Sequence, residues 1–356
     1  MLLFRRNKAF GLDIGAYSIK FVELSETSKG YKLENLGITR TPPESIVDGE
    51  IINTPAVSEA IRALLKEKKV KTKNVAIGIG GHASVMQKKV KVPIMSKEEL
   101  ENHIKWEAEQ HLPSGLTIDE VYMDFVILDT LPEEGQMEVS LLFAKRDLVN
   151  SYVALIKELG YDPVVVDYNA FALQNCFRLN YSVSEDETVV LLDIGASMYT
   201  VNIIKGDKSL HVRDVARNAG NQITEELQKS LGLDYENADE MKRNYGKEGA
   251  EISAEAEKII KEATSTVVEN IVKDLKRALG TLPPDSSVSK IYISGGTPLL
   301  GEFVDMLKNS AEMEVEYINP FKQISIPSKG IDTTLIEEIP SVFSVAVGLA
   351  MRKPYE

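Results

Sequence analysis

The sequence predicts an α/β protein of at least two domains. Its 356 residues exceed what one hydrophobic core usually supports. In the first part of the chain, apolar strands alternate with a helix that has one apolar face, which is the α/β pattern. A short stretch at residues 11–16 also returns almost unchanged at residues 191–196, so two parts of the chain begin in the same way.

The repeated stretch predicts two equivalent hairpins that each carry one carboxylate. An apolar strand runs into Asp13 or Asp193, and a glycine two residues later, Gly15 or Gly195, lets the backbone turn into a second strand. Two such hairpins facing each other would form a cleft with two acidic groups and outward N–H donors, the parts that hold Mg²⁺ and a polyphosphate. One Asp-x-Gly turn alone is a common way to end a strand, and its repetition favours a binding site.

The composition argues against several other classes of protein. The net charge of −13 argues against a nucleic-acid-binding protein, which would concentrate Lys and Arg. The single cysteine, Cys176, leaves no disulfide and no thiolate metal site, and it fits a reducing cytoplasm. No stretch approaches the length of a membrane span, so we expect none.

Local patterns predict the elements that follow the first hairpin. Thr54 as N-cap, with Pro55 at the first helical position, predicts a helix whose exit, residues 66–73, is basic. Residues 75–80 predict a buried strand. Residues 82–160 then predict a compact α+β module of a strand, a helix opened by a capping box at Ser96, two strands and a second helix, which we interpret as an insertion.

The second half of the chain starts after a polar break at residues 182–187. Its hairpin and a third strand at residues 209–214 lead to a helix opened by Gly220 and to further helices at 237–245 and 252–279. A short strand at residues 291–293 runs into a Ser-Gly-Gly-Thr segment. Small residues within 341–351 suit close helix packing at the end of the chain.

Five motifs in this order resemble the superfamily of actin, Hsp70 and hexokinase, and within it the PilM family of type IV pilus assembly, with FtsA as a near relative. They are two phosphate motifs at residues 12–20 and 192–197, an adenosine motif at 293–297 and two domain-connecting helices at 170–173 and 346–350. The resemblance covers essentially the whole chain. It implies an actin-like (ribonuclease H-like) two-domain fold with an FtsA-type inserted α+β subdomain. The implied boundaries are 1–81 and 161–182 for subdomain 1A, 82–160 for 1C, 183–218 and 288–356 for 2A, and 219–287 for 2B.

The resemblance also implies that the cleft binds ATP and Mg²⁺, with Asp13 and Asp193 holding the metal. The residues implied to contact the nucleotide are Gly15, Ala16, Tyr17, Ser18, Lys20, Gly195, Ala196, Ser197, Gly220, Asp239, Lys242, Gly295, Gly296 and Thr297. Backbone N–H groups of the two turns would hold the phosphates and Lys20 would neutralise them. For Asp239 and Lys242, a solvated helix face remains the alternative.

Asp167 falls where the resembling families carry the acid or glutamine that orients the attacking water, so it is the catalytic candidate. An aspartate is shorter than Glu or Gln, and phosphoryl transfer depends steeply on positioning. We therefore predict tight ATP binding with slow hydrolysis at most.

Three functions remain open from the sequence. The resemblance implies a cytoplasmic adaptor, peripheral at the inner membrane through a partner, which binds the N-terminal cytoplasmic tail of PilN in a groove between subdomains 1A and 1C, alongside other pilus platform proteins. The alternatives are an FtsA-like filament, in which the chain is a homo-oligomer, and a small-molecule kinase of the same superfold. FtsA-type membrane tethering is not expected, since the sequence shows no amphipathic tail near residue 356.

Overall fold

Two five-stranded sheets with the same topology organise the molecule. The structure is a computed structural model that describes residues 9–113, 115–282, 286–328, 330–331 and 333–354. The strands are β1 (Phe10–Ile14), β2 (Ser18–Thr27), β3 (Gly30–Arg40), β4 (Ile46–Val47), β5 (Glu50–Ile51), β6 (Asn74–Ile79), β7 (Val85–Pro93), β8 (Val121–Leu131), β9 (Gln136–Lys145), β10 (Asp162–Tyr168), β11 (Thr188–Ile194), β12 (Met198–Lys205), β13 (Lys208–Ala216), β14 (Val288–Ser294) and β15 (Glu314–Tyr317). The helices are α1 (Thr54–Glu67), α2 (Lys97–His111), α3 (Arg146–Glu158), α4 (Asn169–Asn180), α5 (Gly220–Leu231), α6 (Tyr235–Asn244), α7 (Ala254–Leu279), α8 (Phe303–Ala311), α9 (Thr334–Glu338) and α10 (Ser344–Ala350).

The strand order shows that the sequence repeat is a repeat of whole sheets. The first sheet runs β3-β2-β1-β6-β10 and the second runs β13-β12-β11-β14-β15. In each sheet the hairpin strands pair antiparallel, whereas the central strand pairs parallel with the strand on its other side. The predicted α/β, actin-like fold of two domains is therefore confirmed, and the two repeated turns lie at equivalent positions in the two sheets.

Two short helices, α4 and α10, pack against each other between the sheets, as the small residues near the chain's end predicted. A side chain at Gly348 would overlap the carbonyl oxygen of Ala172 on α4. A side chain at Gly11 on β1 would likewise overlap the carbonyl oxygen of Ala346 on α10. Because only glycine allows both approaches, these contacts fix how closely the helices sit beside β1 and its acidic turn.

The inserted module is a three-stranded sheet, ordered β7-β9-β8, with α2 on one face. Ser96 caps α2 through the predicted capping box with Glu99. The second helix predicted for this module is not part of its core. Leu148 and Leu155 of α3 are buried with β1 and β6 of the first sheet, because the apolar face of α3 turns towards that sheet.

Several local predictions need correction or addition. The N-cap of α1 is Asn53, whose side chain accepts a bond from the backbone N–H of Ala56, and Thr54 is already helical. The hairpin of β4 and β5, the edge strand β15 and the helix α9 were not predicted, because two to five residues are too few to show a period. None of the described helices is both long and apolar enough to cross a membrane.

Candidate nucleotide site

A cleft of about 480 Å³ opens where the acidic turns of the two sheets meet. Every residue predicted to hold the nucleotide or the metal lines this cleft, although the two groups lie about half a chain apart in sequence. From the first domain these are Asp13, Gly15, Ala16, Tyr17, Ser18 and Lys20. From the second domain they are Asp193, Gly195, Ala196, Ser197, Gly220, Asp239, Lys242, Gly295, Gly296 and Thr297.

The two turns share two hydrogen bonds, and the Gly195 carbonyl of the second turn also accepts one from the Gly220 N–H at 3.2 Å. In the first turn the Gly15 N–H donates to the Ser18 carbonyl at 3.1 Å, and the Thr41 hydroxyl donates to the Gly15 carbonyl at 2.6 Å. In the second, the Gly195 N–H donates to the Met198 carbonyl at 2.9 Å. The Thr297 hydroxyl donates to the Gly195 carbonyl at 2.7 Å. Both turns are therefore held by hydrogen bonds within the protein itself.

These bonds pair the N–H and carbonyl groups of Gly15 and Gly195. They leave the N–H groups at the tip of each turn unpaired among the described residues. The backbone N–H groups of Ala16, Tyr17, Ala196 and Ser197 have no acceptor among the described residues. Unpaired N–H groups that share one concavity form an anion site, because each contributes a fixed partial positive charge. Two such sites facing each other suit a chain of phosphates.

The two carboxylates differ in how their charge is compensated. Lys20 Nζ lies 2.7 Å from Asp13 Oδ2, and both residues are nearly buried. Burial raises the pKa of Asp193 to about 6, and the nearby charge of Asp13 adds to this rise. The two turns therefore place two carboxylates beside one lysine, so a cation bound between the turns would lower the electrostatic energy there.

This donor set fits Mg²⁺ of the kind that is held mainly by phosphates and water. No cluster of three or more His, Cys, Asp or Glu able to bind a metal occurs among the described residues. Mg²⁺ commonly needs only one or two protein carboxylates when substrate phosphates supply other ligands. Asp13 and Asp193 would serve as those carboxylates, directly or through water.

Three glycines shape the second half of the cleft. Gly295 has a φ of 91°, and a side chain there would overlap the backbone of Ile194. A side chain at Gly220 would overlap the Thr297 hydroxyl that holds the second turn. Gly296 instead faces open space, because a side chain there would meet no atom within 4 Å. The glycines thus permit the turn geometry and leave room for a flat group beside Gly296.

Asp239 on α6 anchors a charged cluster that bridges the two domains. Arg40 of β3 donates to Asp239 Oδ2 at 2.9 Å, and Tyr17 donates to the same oxygen at 3.2 Å. Arg243 also donates to Oδ2 at 2.9 Å, while Lys242 Nζ lies 2.9 Å from Oδ1. Burial alone would raise the pKa of Asp239, but the charge of Lys242 and these bonds outweigh it and hold the pKa at about 2. Asp239 is therefore a buried bridge, not part of a solvated helix face.

The structure does not bring Asp167 into the cleft. Its Oδ2 lies 2.9 Å from Arg352 Nε beyond the end of α10, and its Oδ1 accepts from the Tyr168 N–H. The residue at the start of α4 that does line the cleft is Asn169, whose buried Oδ1 has no hydrogen-bond partner among the described residues. Asn169 lies only two residues further on, but which side of the sheet faces the cleft could not be read from the sequence.

Two equivalent sheets, joined by crossed helices and separated by a cleft with one acidic turn from each, define the actin-like class of fold. The sequence model of the family described as Type IV pilus assembly protein PilM matches residues 11–354. The chain belongs to this PilM family.

Solved structures agree with this assignment. A chain of the PilM-PilN type IV pilus biogenesis complex is similar over 99% of this chain and 100% of its own length, with 29% identity and a TM-score of 0.84. The ethanolamine utilization protein EutJ from Carboxydothermus hydrogenoformans is similar at a TM-score of 0.55 and 14% identity, over 96% of this chain and 89% of its own. MreB 5 of Spiroplasma citri bound to AMPPNP is similar at a TM-score of 0.54 and 12% identity, over 96% and 94%. The last two share the fold.

Proposed function

We propose that this chain is an ATP-binding, actin-like adaptor of type IV pilus assembly that binds the N-terminal cytoplasmic tail of PilN. The observation that carries the proposal is the similarity over nearly the whole of both chains to a chain of the PilM-PilN complex, at a TM-score of 0.84. The family match over residues 11–354 supports the same assembly.

The cleft supports the nucleotide part of the proposal. The free N–H groups of the two turns would bind the phosphates, and Lys20, which lines the same cleft, would neutralise them. Mg²⁺ would neutralise the phosphates and the Asp13 and Asp193 carboxylates together. The open space beside Gly296 would receive the adenine.

Slow turnover at most is part of the proposal. Of the described groups at the start of α4, the carboxylate of Asp167 is turned away to Arg352, and the neutral amide of Asn169 is the one that lines the cleft. An amide can orient a water but cannot accept its proton as a carboxylate does. The cleft is therefore suited to holding ATP as a structural ligand.

The inserted module supplies a surface that fits an extended tail. β8 is the edge strand of its sheet, and its outer edge pairs with no other described strand. Tyr122, Val126 and Ile127 on this strand are exposed, and Tyr122 contacts Arg146 and Asn150 at the start of α3. A tail lying between β8 and α3 would gain main-chain hydrogen bonds at the edge and apolar contacts from these side chains.

Contacts between the module and the second domain would couple the tail to the nucleotide. Gln87 of β7 accepts a bond from the Val212 N–H of β13 at 3.0 Å. Asp214 lies two residues further along β13. It accepts bonds from the Gly81 N–H and the Tyr168 hydroxyl of the first domain and from the Thr200 hydroxyl of the second. If the two domains close around ATP, β13 and the inserted module would move together. Nucleotide and tail would then bind with positive coupling.

The test is a calorimetric titration of a synthetic PilN N-terminal peptide, with and without Mg-ATP. We expect micromolar binding that strengthens with Mg-ATP and loses this strengthening in Asp193→Ala. Tyr122→Ala should weaken binding about tenfold, because an exposed aromatic in the groove is lost. Trp106→Ala is the matched control, since this aromatic is 61% exposed but lies on α2, on the opposite face of the module. Absence of peptide binding in every condition would refute the adaptor.

A further inference from the structure

A basic basin lies at the exit of α1, on the first domain and outside the nucleotide cleft. It is a shallow depression of about 400 Å³. Its polar lining consists of Arg62, Lys66, Lys69, Lys71, Lys73 and Tyr161. None of the described residues that line it is acidic. Five cations around one depression stand out in a chain whose net charge is −13.

The fold forces these cations to one side. The apolar face of α1, including Ile61 and Leu65, is buried against the first sheet, so Arg62 and Lys66 project outward. The chain then turns through Lys69, whose φ is 54°, and returns to the sheet as β6. This turn places the remaining lysines beside the end of α3, since a basic run here cannot enter the apolar core.

The charge of the basin is not cancelled locally. The one acid within the basic run, Glu67, pairs with Lys68, which is not part of the basin. Glu23, which lies nearby, accepts a bond from the Thr72 hydroxyl. Among the described residues, no carboxylate forms an ion pair with the five basin cations. Lys73 donates to the Gly160 carbonyl at 3.2 Å and lies 4.7 Å from the Tyr161 ring, and neither of these partners carries a negative charge.

We propose that the basic basin docks on an anionic phospholipid surface. Four of its five cations are lysines on long exposed stems, which act as separate point charges and not as the planar forks that recognise one phosphate or carboxylate. Clusters of four to eight such cations are typical of binding to anionic bilayers. Tyr161 adds an aromatic ring of the kind found at membrane interfaces.

The acidity of the rest of the chain does not oppose this docking. At physiological salt the screening length is about 8 Å, so distant carboxylates contribute little to the potential at the basin. A long nucleic acid would instead extend past the basin along a protein whose net charge is −13. A compact basic cluster on an acidic protein is therefore suited to a phospholipid surface, which contacts the protein on one face only.

The basin and the proposed tail site can be used together. The tail site contacts the first turns of α3, and the basin lies beyond its last residue, Glu158. Thirteen helical residues at about 1.5 Å each separate the two by roughly 20 Å. Lipid docking does not depend on the tail, but two weak attachments so spaced would reinforce each other.

The test measures co-sedimentation of the full chain with phosphatidylglycerol–phosphatidylcholine vesicles, without nucleotide or peptide. We expect binding to these vesicles, none to pure phosphatidylcholine, and release at high salt. The triple variant Arg62→Gln, Lys66→Gln, Lys71→Gln should bind roughly a hundredfold more weakly, since each cation near an anionic bilayer contributes about fivefold. These three side chains make no ion pair or hydrogen bond with other described residues, so the fold should be retained.

The matched control removes the same charge elsewhere, at exposed lysines of α5 and α7, as Lys229→Gln, Lys273→Gln, Lys276→Gln. It should bind vesicles as the unaltered chain does. Equal losses in the two variants, no binding by the unaltered chain, or tighter binding to a short DNA duplex than to vesicles would each overturn the proposal. The basin variant should still bind the PilN peptide normally, which separates failure of lipid docking from failure of the adaptor function.

Discussion

The first hairpin, β1 and β2, and the second, β11 and β12, pair their strands in the same way. They differ in the residue that lies opposite the carboxylate. Register pairs Asp13 with Lys20 in the first hairpin and Asp193 with Thr200 in the second. Lys20 turns to its own carboxylate at 2.7 Å. Thr200 turns away and donates to Asp214 at 2.7 Å. The equivalent position thus compensates the charge of the carboxylate in the first hairpin. In the second it supports Asp214, which bonds to the first domain through Gly81 and Tyr168.

This difference assigns separate tasks to two similar halves. The first hairpin carries a cation that pairs with its own carboxylate. In the second hairpin, burial and the nearby charge of Asp13 raise the pKa of Asp193 to about 6. Thr200 there bonds to Asp214, which in turn bonds to Gly81 and Tyr168 of the first domain. An ion bound between the hairpins would therefore act mostly on the second carboxylate.

Removing the lysine should have the largest effect. Lys20→Met keeps the length of the side chain but leaves Asp13 buried without its partner, so we expect a loss of about 3 kcal/mol in the free energy of unfolding. ATP affinity should fall at least tenfold, because the phosphates also lose a cation. Urea unfolding and titration with a fluorescent ATP analogue measure the two effects.

Thr200→Val is the matched change in the second hairpin. It should cost only about 1 kcal/mol, since Asp214 keeps the bonds from Gly81 and Tyr168. A cost as large as that of Lys20→Met would show that the two positions do not differ as the structure indicates.

The same substitution at the two carboxylates should change stability in opposite directions. Without Mg²⁺ or nucleotide, Asp13→Asn should destabilise the protein, because Lys20 loses its partner. Asp193→Asn should stabilise it above pH 6 by on the order of 2 kcal/mol, because an uncompensated carboxylate is removed. Urea unfolding in a chelating buffer measures both.

The pH dependence gives an independent check of this prediction. The folded-state pKa of Asp193 is about 6, above the ordinary 3.8, so the folded protein binds this proton more tightly than the unfolded chain does. This contribution to stability is present below pH 4 and is lost as the pH rises from about 4 to 6. Asp193→Asn should lack that loss. An unchanged pH profile in this variant would contradict the assignment.

The sequence repeat predicted many of the residues that line the cleft, because they are close to glycines in short motifs. Asp13 and Asp193 could be placed without coordinates, since each ends an apolar strand at a turn. The cross-domain partner of Asp239 could not, because Arg40 lies 199 residues away and nothing local links them. Asp167 was misplaced for a related reason: the alternation of a strand gives two faces but not which of them meets the cleft.

Element boundaries show the same limit on a smaller scale. The capping box at Ser96 was predicted correctly because both of its partners lie within four residues. The allocation of α3 was wrong because its amphipathic pattern shows that one face is buried but not which sheet buries it. Interactions between residues that are close in sequence can thus be predicted from the sequence, whereas the choice among distant partners requires the fold.

Small effects are also expected from the threonines that support the turns, Thr41 in the first and Thr297 in the second. Thr41→Val and Thr297→Val each remove a hydroxyl bond to the carbonyl of Gly15 or Gly195. Each should cost about 1 kcal/mol of unfolding free energy and weaken ATP binding a few-fold, because the turn tips become less rigid. Thr39→Val is the control, since Thr39 lies on β3 two residues before Thr41 and bonds to neither turn. A larger loss from Thr297→Val than from Thr41→Val would contradict this prediction, since the Gly195 carbonyl keeps the bond from the Gly220 N–H at 3.2 Å.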